Sequence, residues 1–132
     1  MKIYVDGSYS SNNPNIVGWA FVVDNGFSAS GKLEGDICKM HQIGGEMRAV
    51  EMALKYTTDM KVKNITILYD YEGLKKWTDG GWRCKNKWTR LYKDMVAFYK
   101  QSGIKIDFVK IDNGENKADE LAREITGAKD RH

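Results

Sequence analysis

Ile16-Val17-Gly18-Trp19-Ala20-Phe21-Val22-Val23, then Asp24-Asn25-Gly26, then Phe27 to Leu33: this stretch decides the fold class. A strongly apolar, β-rich run, a tight-turn signal and a second extended run spell an antiparallel hairpin. Working backward, Lys2 to Asp6 alternates and is β-rich, so another strand precedes the hairpin. A polar loop from Gly7 to Asn15, containing Asn13-Pro14, joins the two. Three antiparallel strands therefore open the chain.

Working forward, the period changes. Met47, Val50, Ala53 and Leu54 form one helical stripe between Glu46 and Tyr56, with Gly44-Gly45 marking its start. Asn64 to Asp70 reads as a buried strand, and Tyr71 to Trp77 as a short helix ending at Asp79-Gly80-Gly81. A longer helix is predicted over Lys87 to Gln101 and closed by Gly103. Lys105 to Lys110 is the fifth strand, and a final helix runs from about Asn116 to Thr126. Helical crossovers make the later strands parallel to the first. The expectation is an α/β fold with a mixed five-stranded sheet, three antiparallel strands then two parallel, flanked by helices.

The bulk properties fit one domain over 1–132. The chain has 132 residues, 42% hydrophobic and 30% charged. That balance argues against whole-chain disorder. Spanning a bilayer takes roughly 20 apolar residues in a row. The longest apolar run, Trp19 to Val23, is far shorter. Met1-Lys2-Ile3-Tyr4-Val5-Asp6 meets charge too early for a secretory signal. Cys38 and Cys84 stand far apart without a CxxC pattern. A reducing cytoplasm is therefore expected rather than a disulfide framework or zinc site. Net charge is only +3, but residues 75–93 hold Lys75, Lys76, Arg83, Lys85, Lys87, Arg90 and Lys93 against one acid, Asp79. Such a patch suits either a polyanionic partner or a solvated helix face.

Two acids sit where acids are depleted. Asp6 and Asp70 end the first and fourth strands. If those strands are parallel neighbours, the carboxylates lie side by side at one sheet end, where α/β folds favour ligands. Clustered carboxylates repel unless a cation joins them, so the pair asks for a divalent metal. Glu46 at the head of the first long helix and Asp119 in the first turn of the last can converge on the same end. Four carboxylates suit two hard cations. Singly, Glu46 and Asp119 also read as acids serving the helix dipole. His41 and His132 have no partner spacing, against zinc.

Tyr4-Val5-Asp6-Gly7-Ser8-Tyr9, Glu46-Met47-Arg48-Ala49-Val50, Ile67-Leu68-Tyr69-Asp70 and Asn116-Lys117-Ala118-Asp119-Glu120-Leu121-Ala122 resemble, in order and spacing, the four signature segments of type 1 ribonuclease H. Tyr69 to Trp77 with Gly81-Trp82 resembles bacterial members in particular. The resemblance implies a metal-dependent endonuclease that cuts the RNA strand of an RNA/DNA hybrid to 5′-phosphate and 3′-hydroxyl products. It implies Asp6, Glu46, Asp70 and Asp119 as ligands of two Mg²⁺ ions, with Mn²⁺ as an alternative. In that scheme one ion activates a water and the other stabilises the leaving 3′ oxygen.

Many relatives carry a mobile His in the loop before the last acid. Here Lys110 to Glu115 has none, and Glu115, four residues before Asp119, is the expected substitute, with Asp112 the second choice. The alternative is a loop acid that caps the last helix. Ser8, Asn12, Asn13, Gln42, Gly44 and Gly45 flank the acids and are expected at the substrate, and Asn116, which matches a family Asn, is expected to orient substrate or a ligand. Asn12, Asn13 and Gln42 would read 2′-hydroxyls, and the glycines would let backbone approach the RNA. Trp82, Arg83, Lys85 and Lys87 would grip the DNA strand, with Trp82 the better surface residue and Trp88 the better core residue. The chain opens directly on its first strand, so no preceding hybrid-binding domain is expected, and a monomer is the default. Three rivals remain: a resolvase- or transposase-like nuclease of the same fold, a nucleic-acid-binding module with a dead site, and a phosphoacceptor receiver domain using Asp6, Asp70 and Lys110. The early hairpin speaks against the all-parallel receiver.

Overall fold

The computed structural model describes residues 1–128. Five strands, β1 (Lys2–Ser8), β2 (Ile16–Val23), β3 (Ser28–Glu34), β4 (Asn64–Tyr69) and β5 (Lys105–Lys110), form one sheet in the order β3-β2-β1-β4-β5. The β1–β2 and β2–β3 pairs are antiparallel; β1–β4 and β4–β5 are parallel. The mixed sheet expected from the period changes is therefore the observed one. His132 lies outside the described residues.

Four helices flank the sheet: α1 (Gln42–Asp59), α2 (Gly73–Asp79), α3 (Lys87–Gln101) and α4 (Asp119–Thr126). Alternation along the central strand sorts them between two faces. Ile3 and Val5 belong to the main core, together with Val50, Leu54, Ile67 and Val96. Tyr4 points the other way, onto a small cluster of Ala20, Ala118 and Ala122 that seats α4. The small side chains let α4 lie close to β1 and β2.

Local chemistry explains the boundaries. Asn86 accepts a hydrogen bond from the Thr89 amide at 3.0 Å while the Thr89 hydroxyl accepts from the Asn86 amide. This reciprocal cap starts α3. Inside α3, the Tyr92 hydroxyl donates to the Leu74 carbonyl at 2.7 Å and ties α3 to α2. Burial pushes that hydroxyl well above the ordinary tyrosine range, and the Glu46 carboxylate adds to the shift. A raised native pKa means that the unfolded chain releases this proton first. Stability from Tyr92 is therefore full below about pH 10 and is lost as pH climbs above it. Melting temperature followed from pH 8 to 11.5 should fall more steeply in the wild type than in Tyr92→Phe; equal slopes would show that Tyr92 does not govern alkaline unfolding.

Several expectations need correction. α1 begins at Gln42, so Gly44-Gly45 lie inside it and Glu46 is its fifth residue rather than its opening one. β1 runs past Asp6 to Ser8, because β2 keeps pairing with it through Gly7↔Trp19 and Ser8↔Gly18. α4 starts at Asp119 rather than Asn116, whose side chain is used elsewhere. α2 starts at Gly73 rather than Tyr71. Two short 3₁₀ turns are also present: Asp36–Met40 precedes α1, and Asn113–Glu115 falls in the segment read as a loop. Among the described residues no helix is long and apolar enough to cross a membrane.

Candidate active site

The β1–β4 register places the first two acids. Lys2 faces Thr66, Ile3 faces Ile67 and Tyr4 faces Leu68. The pairing stops there, and the same offset carried two residues further sets Asp6 opposite Asp70. Both acids thus emerge where the two parallel strands part, at their carboxyl ends. Asp6 is fully buried; Asp70 is half-buried.

Glu46 reaches the pair because α1 presses close to the sheet. A Cβ on Gly45 would overlap the Gly18 carbonyl oxygen, and one on Gly7 would overlap the Gln42 carbonyl oxygen. Gly45 also approaches Gly7, whose Cα lies 3.0 Å from where that Cβ would be. These glycines bring the first turns of α1 against β1 and β2 and deliver Glu46, 2% exposed, to the sheet end. Gly44 and Gly45 are both buried, and the close approach they permit here is of helix to protein.

Asp6, Glu46 and Asp70 each offer a carboxylate oxygen within 4.8 Å of the others. Three acids from three elements, two of them buried, form an all-oxygen donor set. That chemistry fits a hard divalent cation and not a soft metal. Asp119, the first residue of α4, stands outside this group of three. Its Oδ2 accepts from Arg123 Nε at 3.1 Å, an i,i+4 pair on α4. Sequence reasoning missed Arg123, although the i,i+4 spacing of acid and base was there to be read.

Asn116 is 5% exposed and joins the site from behind. Its Nδ2 donates to the Val5 carbonyl at 2.8 Å and to Asp70 Oδ2 at 3.0 Å, and its Oδ1 accepts from the Ala118 amide. It holds Asp70 in place against β1 and the entry to α4. Ser8 is also buried, and its hydroxyl is spent on α4, against the Ala122 carbonyl and 2.9 Å from Thr126 Oγ1. Its side chain anchors α4 to β1. Glu115 is exposed on its 3₁₀ turn, and its amide donates to the Asp112 carbonyl. Asn12 and Asn13 are exposed on the loop after β1, and Gln42 is half-buried at the head of α1.

A cleft of about 590 Å³ is lined by Ile43, Tyr71, Trp77, Trp82, Arg83 and Lys85, among others. Trp82 packs edge-on against Trp77 and Tyr71, with ring centroids 5.9 and 6.1 Å away. Trp88 is half-buried under the Lys87 ammonium, 4.8 Å from its centroid. The expected contrast between the two tryptophans is therefore absent: both pack one side on the core and turn the other outward. Arg83 and Lys85 form no salt bridge among the described residues, whereas Lys87 pairs with Asp36 at 3.4 Å. Lys39 and Lys87 hold the Asp36 carboxyl below its usual range. Both cysteines are free.

The sequence model of the RNase H family matches residues 1–126. No curated protein sequence matches the chain. Among solved structures, LC11-RNase H1 in complex with an RNA/DNA hybrid is 21% identical with a TM-score of 0.79, covering 96% of each chain. RNase H1 from the halophilic archaeon Halobacterium salinarum is 20% identical at 0.76, covering 93% of this chain and 94% of that one. The N-terminal RNase H domain of a Mycobacterium tuberculosis protein is 15% identical at 0.80, covering 96% and 92%. At such identities the structures establish shared fold, and the family match over nearly the whole length adds membership: the chain belongs to the ribonuclease H family of enzymes.

Proposed function

We propose that this protein hydrolyses the RNA strand of RNA/DNA hybrids, leaving 5′-phosphate and 3′-hydroxyl ends. The observation that carries the reading is the convergence of Asp6, Glu46 and Asp70 within 4.8 Å at the carboxyl end of the parallel strands. Divalent cations bound there, two Mg²⁺ ions in our reading, supply water activation and charge neutralisation at the leaving oxygen. Asp6 and Asp70 would be shared between them, Asp119 would complete the nucleophile side, and Glu46 would serve the other ion and face the 2′-hydroxyl. Asn116 positions Asp70 rather than touching substrate. Glu115 takes the proton-transfer role in the loop before α4. Gln42, Asn12 and Asn13 would make the 2′-hydroxyl contacts that distinguish RNA from DNA. We further propose that 1–132 acts as one catalytic domain, as a monomer, in the cytoplasm.

The test is cleavage of an end-labelled hybrid, with RNA/RNA and DNA/DNA duplexes alongside, in Mg²⁺, Mn²⁺ and EDTA. Metal-dependent cutting of the hybrid's RNA strand alone is expected. Binding without cutting in either metal would overturn the reading in favour of a dead-site module. Cutting of DNA duplexes or junctions would favour a resolvase-like enzyme.

In this reading the DNA strand lies along the aromatic, basic cleft. Arg83 and Lys85 stand ready for phosphates, while Lys87 must trade Asp36 for a phosphate, which weakens its share. Neutralising Arg83, Lys85 and Lys87 together should flatten the slope of log affinity against log salt by about 2. An unchanged slope, measured by anisotropy in EDTA, would remove this cleft from the substrate path.

A further inference from the structure

At the end of the sheet opposite the acids, lysines stand at the starts of all three parallel strands. Lys2 opens β1, Lys105 opens β5, and Lys63 immediately precedes β4. The Lys105 amide donates to the Lys63 carbonyl at 2.7 Å, and the Thr66 amide donates to the Met1 carbonyl at 2.8 Å, so the three starts lie side by side. Lys61 sits in the tight turn between α1 and β4, where its amide donates to the Thr58 carbonyl. Lys100 lies in the last turn of α3. All five are exposed, and none forms a salt bridge among the described residues. The acids at this end are Asp24 and Asp59, with Asp107 further along β5, and Asp24 accepts from the Lys2 amide at 3.1 Å. Part of the positive charge has a local task. Lys61 and Lys100 complement the carboxyl ends of α1 and α3, and Lys105 guards an edge strand. Lys2 and Lys63 stand at interior strands and need no such guard. Lys61 also holds φ 59, a conformation that glycine takes freely and lysine takes at a cost.

We propose that this lysine face holds the phosphates of a second nucleic-acid segment while the catalytic face still holds the first, so that the protein passes directly from one duplex to another. The choice of nucleic acid as the polyanion rests on the hybrid-cleavage reading above. Exposed ammonium groups without acidic partners grip phosphates with no regard to base sequence. Distance and stiffness require that the segment be a second one. Along extended chain, Lys2 stands about 13 Å from Asp6, and Lys63 about 23 Å from Asp70. The lysines and the acids therefore occupy opposite ends of the same strands. A duplex is stiff over lengths far greater than this domain, about 50 nm for DNA. One lying across the acids cannot turn back to reach the lysines. The face is also separate from the aromatic, basic cleft, which none of these lysines lines. While both segments are held, the second is at high effective concentration near the protein and is captured as the first lets go.

The experiment follows release of a fluorescein-labelled RNA/DNA hybrid by anisotropy, in EDTA at low salt, as unlabelled DNA duplex is added at increasing excess. It compares the wild type with a variant carrying Lys2→Gln, Lys61→Gly, Lys63→Gln and Lys105→Gln. Glutamine keeps an extended polar side chain without the charge, and glycine takes φ 59 without strain, so the backbone has no reason to change. Cleavage of the hybrid in Mg²⁺ is measured in parallel. The wild-type release rate should rise with competitor, by about fivefold or more across the range. In the variant it should stay flat, with affinity for the hybrid alone within about twofold of wild type and cleavage unchanged. Lys61→Gly with Lys63→Gln alone should lower the slope by about half, which keeps the test decisive if the larger variant melts early. A wild-type rate that ignores competitor, the result expected if the lysines serve an acidic protein instead, overturns the transfer face. An equal rise in both variants overturns it too. In either case wild-type cleavage of the hybrid leaves the parent reading standing. A wild type that neither holds nor cuts the hybrid overturns the parent reading and the transfer face with it.

Discussion

Asp70→Asn should lower hybrid cleavage by about a thousandfold or more while hybrid affinity stays within about threefold. The size follows from what a ligand does. Loss of one shared carboxylate weakens cation binding and removes charge stabilisation worth several kcal/mol at the reacting phosphate, and each step of about 1.4 kcal/mol is about a factor of ten in rate. The selectivity for catalysis follows from geometry. Asp70 lies just past β4, outside the ladder, and the basic cleft proposed for the phosphates is built by other residues. Asn is nearly isosteric, and an amide oxygen can still accept from Asn116, which now holds Asp70 Oδ2 at 3.0 Å. The fold therefore has no reason to suffer. It should gain, because one of three crowded like charges is gone. Melting temperature in EDTA is expected to rise by about 2–5 °C, and the further rise on adding Mg²⁺ should be smaller than in the wild type. Two outcomes would sink the metal assignment: a mutant that cuts at the normal rate, or one that melts lower in EDTA.

Why the acid pair was legible in the sequence, and other parts of the site were not, comes down to range. Asp6 and Asp70 each close a period-2 apolar run, and parallel pairing of neighbouring strands fixes their meeting without further information. β2, β5 and α3 were equally readable, since their apolar periodicity persists along the whole element and turn or cap residues bound them. The start of α1 was not. Gly44-Gly45 reads locally as a breaker, yet here close packing of Gly45 on β2 and of Gly44 on the turn before α1 keeps the pair inside a helix against its intrinsic preference. The use of Ser8 was equally hidden, because its hydroxyl meets Ala122 and Thr126, at the far end of the chain. The Tyr9–His41 stack joins two residues that no periodicity relates. Motif spacing locates acids because strands and helices carry them in register; it is blind to which face a small residue must leave empty.

That blindness matters most at Gly45. Gly45→Ala should destabilise the protein by about 2–3 kcal/mol and lower its melting temperature by roughly 6–12 °C. A methyl group there would overlap the backbone carbonyl of Gly18, on a central stretch of β2 that pairs with β1 and β3 and has nowhere to retreat. The helix must lift instead, and Glu46 is the next residue along it. Activity should therefore fall further than the folded fraction accounts for, with kcat reduced by about tenfold or more at a temperature where the variant is fully folded. Gly44→Ala is the internal control. Its methyl would lie 3.0 Å from the Ile37 carbonyl oxygen and 3.2 Å from Ile37 Cγ1. Ile37 sits on a short turn that can give way. Alanine also favours helix by about 1 kcal/mol over glycine. That variant should melt within a few degrees of the wild type and keep its kcat. Urea unfolding and hydrolysis rates for the two alanines separate the cases. If both behave alike, general helix propensity governs this turn; if only Gly45→Ala fails, the empty space beneath Gly45 is what holds the third carboxylate in the site.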